Sequence, residues 1–385
     1  MTNRTYVSEI MLFRELGKTG LRVSEIGLGT EHLGRTSKAR QVIVEVVDKA
    51  VESGINYFDL IFNFKEYTEN YGVAFKEHRD KLVLACHLGS AVTRNQQYFK
   101  TRSVGICKKV FENTLSRLDT DYIDIANVTY VKNKKEYEEV TRPGSVLDLA
   151  HRLKKERKVH HIGISTHDAS VVQMAARSGE FEVITYQVNM ANNALRGRNE
   201  ALATCARKNV GLVAMKPFAG GVLLSRNRTV WIACGKRGGG NTLHLEIPAE
   251  MTSILCLAYT LSQVGVSTTI PGVGSLEQLN EILSYQYASA KERDYSGVIK
   301  SFKEYYVGQC VYCNHCLPCP SNIDIGQVTR LLDAASRGLN ESVKKDYNNL
   351  RVNASDCTRC GACIDRCPFN VDVISNMKKA VDTFS

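Results

Sequence analysis

Eight of the thirteen cysteines fall in two tight runs near the end of the 385-residue chain. Cys310, Cys313, Cys316 and Cys319 form one run, Cys357, Cys360, Cys363 and Cys367 the other, and each closes on Cys-Pro, at Pro320 and Pro368. Thiolates are soft ligands, and three of them at two-residue steps wrap one face of a cubane. Where two clusters are held side by side, the fourth Cys, followed by Pro, serves the other cluster. The spacing therefore predicts two 4Fe-4S clusters, one on Cys310, Cys313, Cys316 and Cys367, the second on Cys357, Cys360, Cys363 and Cys319. The second run has the full C-x2-C-x2-C-x3-C-P spacing; the first is one residue short before Cys319, which leaves that ligand the least defined. Structural zinc is the alternative, with two tetrahedral sites if His315 takes part, but neither a third Cys at the next step nor a terminal Cys-Pro is needed for zinc. A disulfide framework belongs to short secreted chains rather than to one of this length without a signal-type apolar stretch.

The rest of the chain has to position whatever these clusters serve. Its 43% hydrophobic and 23% charged residues are those of an ordinary globular protein with ample material for a large core. No run approaches the eighteen apolar residues of a membrane span, so a cytoplasmic setting without membrane partners is expected, and exposed clusters favour one low in oxygen. The formal net charge is +10, yet basic and acidic residues interleave, as in Lys154-Lys155-Glu156-Arg157-Lys158, and no nucleic-acid motif appears. The excess charge reads as a solvated surface, with docking of acidic partners, an acidic electron carrier among them, as the alternative.

Before the cysteine runs, short apolar strands alternate with helical patterns. Strands are expected at Ile26 to Leu28 (after a hairpin-like turn at Gly17-Lys18-Thr19-Gly20), Asn56 to Asp59, Leu82 to Ala85, Tyr122 to Ala126, His161 to Ile164, Val183 to Val188, Gly211 to Met215 and Thr268 to Ile270. Helical segments between them include Ala39 to Ser53, Arg102 to Leu118 and Leu147 to Lys158. Eight such units predict an α/β fold, a (β/α)8 TIM barrel with its site at the C-terminal ends of the strands. An open doubly wound sheet is the alternative, and no Gly-x-Gly-x-x-Gly turn supports it. Arg226 to Pro248, with Gly238-Gly239-Gly240, reads as an irregular inserted loop. Between the cysteine runs, Ile325 to Ser336 and Ser342 to Leu350 read as helices, giving a small, mainly α-helical second domain. Cys86, Cys107, Cys205, Cys234 and Cys256 read as small buried hydrophobes.

Several stretches resemble aldo/keto reductase signatures in the correct order. They are Leu16-Gly17-Lys18-Thr19-Gly20 with Ile26-Gly27-Leu28-Gly29-Thr30, Gly54-Ile55-Asn56-Tyr57-Phe58-Asp59, Asp121-Tyr122-Ile123-Asp124, Gly163-Ile164-Ser165, Met215-Lys216-Pro217-Phe218-Ala219-Gly220-Gly221 and Ile270-Pro271-Gly272. The resemblance spans residues 12–285 and leaves 286–385 as a ferredoxin-type domain; together they resemble the branch of that family with a two-cluster C-terminal domain. It implies reduction of a carbonyl by a nicotinamide cofactor, with a Tyr as general acid, a Lys and an Asp that tune it, and a His that orients the carbonyl. Asp59 matches the Asp, but Phe64 stands for the Tyr, His87 for the Lys and Thr129 for the His. Substitute acids are Tyr67, Tyr71 or His87, and Lys216 is a candidate for an anionic substrate or cofactor phosphate. NAD(P)H contacts implied by the resemblance are Ser165, Gln187, Asn189, Gly272 and Ser275; Thr166 stands where the family has Asn, and the stretch Pro271 to Asn280 offers no Lys or Arg for a 2′-phosphate. Two functions follow as expectations. One is an oxidoreductase acting on a small molecule, fed single electrons by an electron-carrier protein or redox partner subunit. The other is a non-catalytic electron-transfer or assembly subunit whose barrel has lost its chemistry. An NAD(P)H-dependent carbonyl reductase with a substitute acid is a third.

Overall fold

The computed structural model describes residues 11–33, 39–93, 98–193, 197–224, 229–234, 241–246, 251–299, 310, 316–336, 339, 341–367 and 371–385. Cys313, His315 and Gly238 to Gly240 lie outside them. The chain divides into two compact units. The first comprises Met1–Asn193, Gly197–Leu224 and Met251–Tyr295, the second Ala194–Arg196, Ser225–Glu250 and Ser296–Ser385.

The first unit is a barrel. Leu28–Gly29, Tyr57–Leu60, Val83–Leu88, Ile123–Val131, Val159–Thr166, Val183–Gln187, Gly211–Met215 and Val266–Ile270 are its first to eighth strands, each parallel to the next. Parallel bridges from Ile26 to Thr269 and from Gly29 to Gly272 join the first strand to the eighth. An antiparallel hairpin, Phe13–Glu15 with Arg22–Ser24, precedes the barrel. At its turn Gly17 has φ +54°, and a Cβ there would lie 2.2 Å from Gly211 N, so only glycine fits.

Two apolar sets hold the barrel. Alternation along the strands sends Tyr57, Val83, Ala85, Ile125, Val183 and Val213 to an inner core. Their neighbours face the surrounding helices, whose apolar residues recur at helical spacing: Arg40–Glu52 buries Ile43, Val46, Val47 and Ala50. Helix Val146–Lys155 buries Val146, Leu147, Leu149, Ala150 and Leu153 and ends on Arg152, Lys154 and Lys155, which favour its C-terminal dipole. Cys86, Cys107, Cys205 and Cys256 are buried and free, and burial pushes the thiols of Cys107, Cys205 and Cys256 up to about 11, 12 and 12. They are inert small hydrophobes, as expected.

The segment expected to be irregular, Arg226 to Pro248, instead contains a two-stranded antiparallel hairpin, Thr229–Cys234 with Asn241–Glu246. The β-branched and aromatic run Thr229-Val230-Trp231-Ile232 outweighs the glycines that suggested a loop. The second unit contains helices Ile325–Ser336, Glu341–Asn348 and Val373–Phe384, the first and last of which contribute Ile325, Val373 and Met377 to the lining of a cysteine cavity. Tyr347 stacks on Phe384 at 4.0 Å between ring centroids, and its hydroxyl accepts from Ala354 N at 3.2 Å. No described helix is long and apolar enough to cross a membrane.

Candidate functional site

Asp59, His87 and Thr129 stand near the C-terminal ends of the second, third and fourth strands, where sites of this fold are built. Parallel pairing of these consecutive strands makes them neighbours. His87 Nε2 lies 3.0 Å from Asp59 Oδ1, and His87 Nδ1 lies 2.5 Å from Thr129 Oγ1. Their side chains are nearly closed off, at 2% exposure for His87 and 9% for Asp59, with Thr129 fully buried. Three positions at which the family pattern supplies Asp, Lys and His are thus occupied by one hydrogen-bonded chain, Asp59–His87–Thr129. A carboxylate, an imidazole and a hydroxyl in a row share and move protons. Arg102 secures the far end, since its guanidinium donates to Thr129 O and, at 3.2 Å, to Tyr130 O. Glu136 balances that charge while Lys100 Nζ donates to both its carboxylate oxygens at 2.8 Å. Neither Arg102 nor Glu136 was legible as a site residue, because nothing in their local spacing marks them.

Phe64, which stands for the family's Tyr, closes the approach to helix Lys65–Phe75 and packs against Phe62 at 5.3 Å. The two expected tyrosines do not replace it. Tyr67 is fully buried, with its hydroxyl paired to Thr30 Oγ1, which itself donates to Asp59 O at 2.7 Å. Burial holds the Tyr67 phenol well above its ordinary range, the neighbouring Tyr71 adds to that, and the Thr30 bond opposes it. Tyr71, also buried, donates to Thr30 O at 3.4 Å, and burial raises its phenol too. Both belong to an aromatic core with Phe62 and Phe75.

The remaining predicted residues stand at other strand ends. Ser165 is buried on the fifth strand. Gln187 Nε2 donates to His167 O at 3.3 Å. Asn189 caps the turn Met190–Asn192 and donates to Lys216 O at 3.0 Å. Lys216 follows the seventh strand with φ +59°; burial lowers its ammonium pKa and Glu31 partly restores it. Gly272 faces His32, whose Cδ2 would lie 2.3 Å from a Cβ there. Ser275 caps helix Leu276–Leu283 by accepting from Gln278 N, and Gly274 N donates to Gln278 Oε1 at 2.8 Å. Measured against a nicotinamide nucleotide, the fit is incomplete. The side chains of Asn189 and Ser275 are already engaged in caps, and the Gly274 N–H that would face a phosphate is taken by Gln278.

In the second unit five of the seven described run cysteines share one cavity. Cys316, Cys319, Cys357, Cys360 and Cys363 line one cavity, closed by apolar residues such as Ile323, Val373 and Met377. Arg359 and Gly361, at φ +55° and +80°, turn the chain between Cys357, Cys360 and Cys363. Cys367 Sγ accepts from Val371 N at 3.4 Å, and Arg366 donates to Pro318 O at 2.6 Å, tying the two runs together. Five soft donors around one apolar cavity suit an iron-sulfur cluster, and the choice of fourth ligand lies between Cys316 and Cys319.

An eight-stranded parallel barrel with a hydrogen-bonded Asp59–His87–Thr129 chain at its strand ends is thus followed by a helical unit whose thiols line a cavity. The aldo/keto reductase family profile matches residues 25–296, and the chain belongs to that family. A 4Fe-4S binding domain matches residues 350–371, which holds the second cysteine run. Similar proteins include the uncharacterized oxidoreductase YqkF of Bacillus subtilis, 26% identical over 72% of this chain and 91% of that protein. L-galactose dehydrogenase of Arabidopsis thaliana is 25% identical over 70% of this chain and 86% of its own length. Among solved structures, aldo-keto reductase AKR11C1 from Bacillus halodurans in its holo form aligns with TM-score 0.59 at 23% identity, over 77% of this chain and 96% of that one, a likeness of fold alone.

Proposed function

We propose that this protein is an iron-sulfur oxidoreductase whose barrel acts on a small molecule through Asp59, His87 and Thr129 rather than through a tyrosine acid. The carrying observation is the continuous Asp59–His87–Thr129 chain, 3.0 and 2.5 Å at its two links, in a barrel where Phe64 has removed the phenol. One acid/base unit has replaced another at the same strand ends. Asp59, the more exposed of the linked pair, meets the substrate; His87 relays the proton and Thr129 fixes its ring. In this reading Cys310, Cys313, Cys316 and Cys367 hold one 4Fe-4S cluster, and Cys357, Cys360, Cys363 and Cys319 the second. Such clusters, when bound, take up and release single electrons. An electron-carrier protein or partner subunit is the natural counterpart. NAD(P)H contacts are implied by the family at Ser165, Gln187, Asn189, Gly272 and Ser275, but Asn189 and Ser275 would have to give up their caps to make them; Lys216 would hold an anionic group.

A second reading, a non-catalytic electron-transfer subunit, is favoured by one observation: both ring nitrogens of His87 are already engaged inside the barrel. Anaerobic titration with NADPH and NADH separates the two. Bleaching of the cluster absorbance near roughly 400 nm, or protection of the barrel from proteolysis, supports the nucleotide-linked enzyme. If neither nucleotide has any effect, weight moves to an enzyme fed by a protein donor; the subunit reading prevails if Asp59→Asn and His87→Gln then leave every reaction of the complex unchanged.

A further inference from the structure

The barrel contains a polar layer that neither the acid/base chain nor the cysteine site uses. Tyr57 Oη, both amide atoms of Asn127, Thr185 Oγ1 and Thr268 Oγ1 are buried without a hydrogen-bond partner, on residues at most 1% exposed. They stand on the second, fourth, sixth and eighth strands, on two successive levels of the barrel interior. Alternation places all four inside: Tyr57 is in the inner core itself, Asn127 lies two residues after Ile125, Thr185 two after Val183, and Thr268 two before Ile270. Tyr57 is also two residues before Asp59, and Asn127 pairs in register with His87, so these groups stand inside the barrel at and below the level of the acid/base chain.

The Asn127 amide has a prepared place. Its register partner on the fifth strand is Gly163, where a Cβ would fall 2.2 Å from Asn127 Oδ1. Nearly all buried polar atoms in native proteins are satisfied, and five orphans in one barrel interior call for a partner that all can share. We propose that this layer is a binding site for water, a small internal cluster that accepts from Asn127 Nδ2, donates to Asn127 Oδ1 and bridges the hydroxyls of Tyr57, Thr185 and Thr268. A bound water makes two to four such bonds, and these groups supply both donors and acceptors. A metal cation is disfavoured, because none of the five atoms carries formal charge and the Asn127 N–H group would repel it. The cluster would give the barrel interior around Asp59 and His87 polar surroundings. It stands whether or not the barrel is catalytic.

The test is a high-resolution crystal structure of the anaerobically purified full chain, with the melting temperatures of Thr185→Val and Thr268→Val measured alongside. Ordered water within hydrogen-bonding distance of the Asn127 amide and of at least one hydroxyl is expected. Each valine should then lower the melting temperature by about 2–4 °C, since it strands a water that the hydroxyl held. A dry interior, direct bonds between Asn127 and the hydroxyls, or an anomalous thallium signal at the site after soaking would each overturn the proposal. The density decides if the valine variants disagree with it.

Discussion

Replacing Thr129 by valine tests the acid/base chain without emptying the core. The two side chains have nearly the same shape, and Thr129 is fully buried, so the substitution removes a hydroxyl and little volume. What it leaves is His87 Nδ1 without its 2.5 Å partner, on an imidazole whose side chain is only 2% exposed. A buried nitrogen stripped of its hydrogen bond costs about 1–3 kcal/mol. For a domain of this size about 1 kcal/mol moves the melting temperature by 2–4 °C, so the barrel transition should fall by roughly 2–12 °C. Calorimetry of anaerobically purified protein reads this directly. The cost should all but vanish in a His87→Leu background, because the nitrogen that Thr129 satisfied is then gone. A valine variant as stable as the wild type, or one equally destabilised in both backgrounds, would refute the reasoning.

Two further outcomes follow from other parts of the molecule. Burial alone would raise the Glu182 carboxyl, but hydrogen bonds from His161 Nδ1 at 2.8 Å, Lys154 Nζ at 2.5 Å and Ile162 N at 3.2 Å outweigh it and bring it down to about 2. A carboxyl depressed on folding stabilises above its unfolded value, so the advantage of wild type over Glu182→Gln should be full at neutral pH and fade as the pH falls from roughly 5 towards 2; urea midpoints across that range measure it. Cys360→Ala should lower bound iron from about eight to about four per chain and halve the absorbance near roughly 400 nm, whereas unchanged iron, or zinc in both proteins, would sink the two-cluster assignment.

The cysteine runs, the strand-helix alternation and the small helices between the runs were all legible in the sequence, because each rests on spacing within a few residues. So was the departure at Phe64, His87 and Thr129 from the tetrad that the family resemblance implies. One misreading was also local: glycines between Arg226 and Pro248 hid a hairpin that β-branched residues favour.

What those residues do together was decided only by the tertiary structure. His87 meets Asp59 across 28 positions of sequence and Thr129 across 42, and strand register, not spacing along the chain, sets both contacts. The same packing turns Tyr67 into the core toward Thr30 and buries Tyr57, Asn127, Thr185 and Thr268 inside the barrel. Soft ligands at two-residue steps announce themselves because the chain between them is too short to place them elsewhere. An acid/base unit drawn from three strands has no such signature, since each residue is positioned by hydrogen bonds between strands and by closure of the barrel around them.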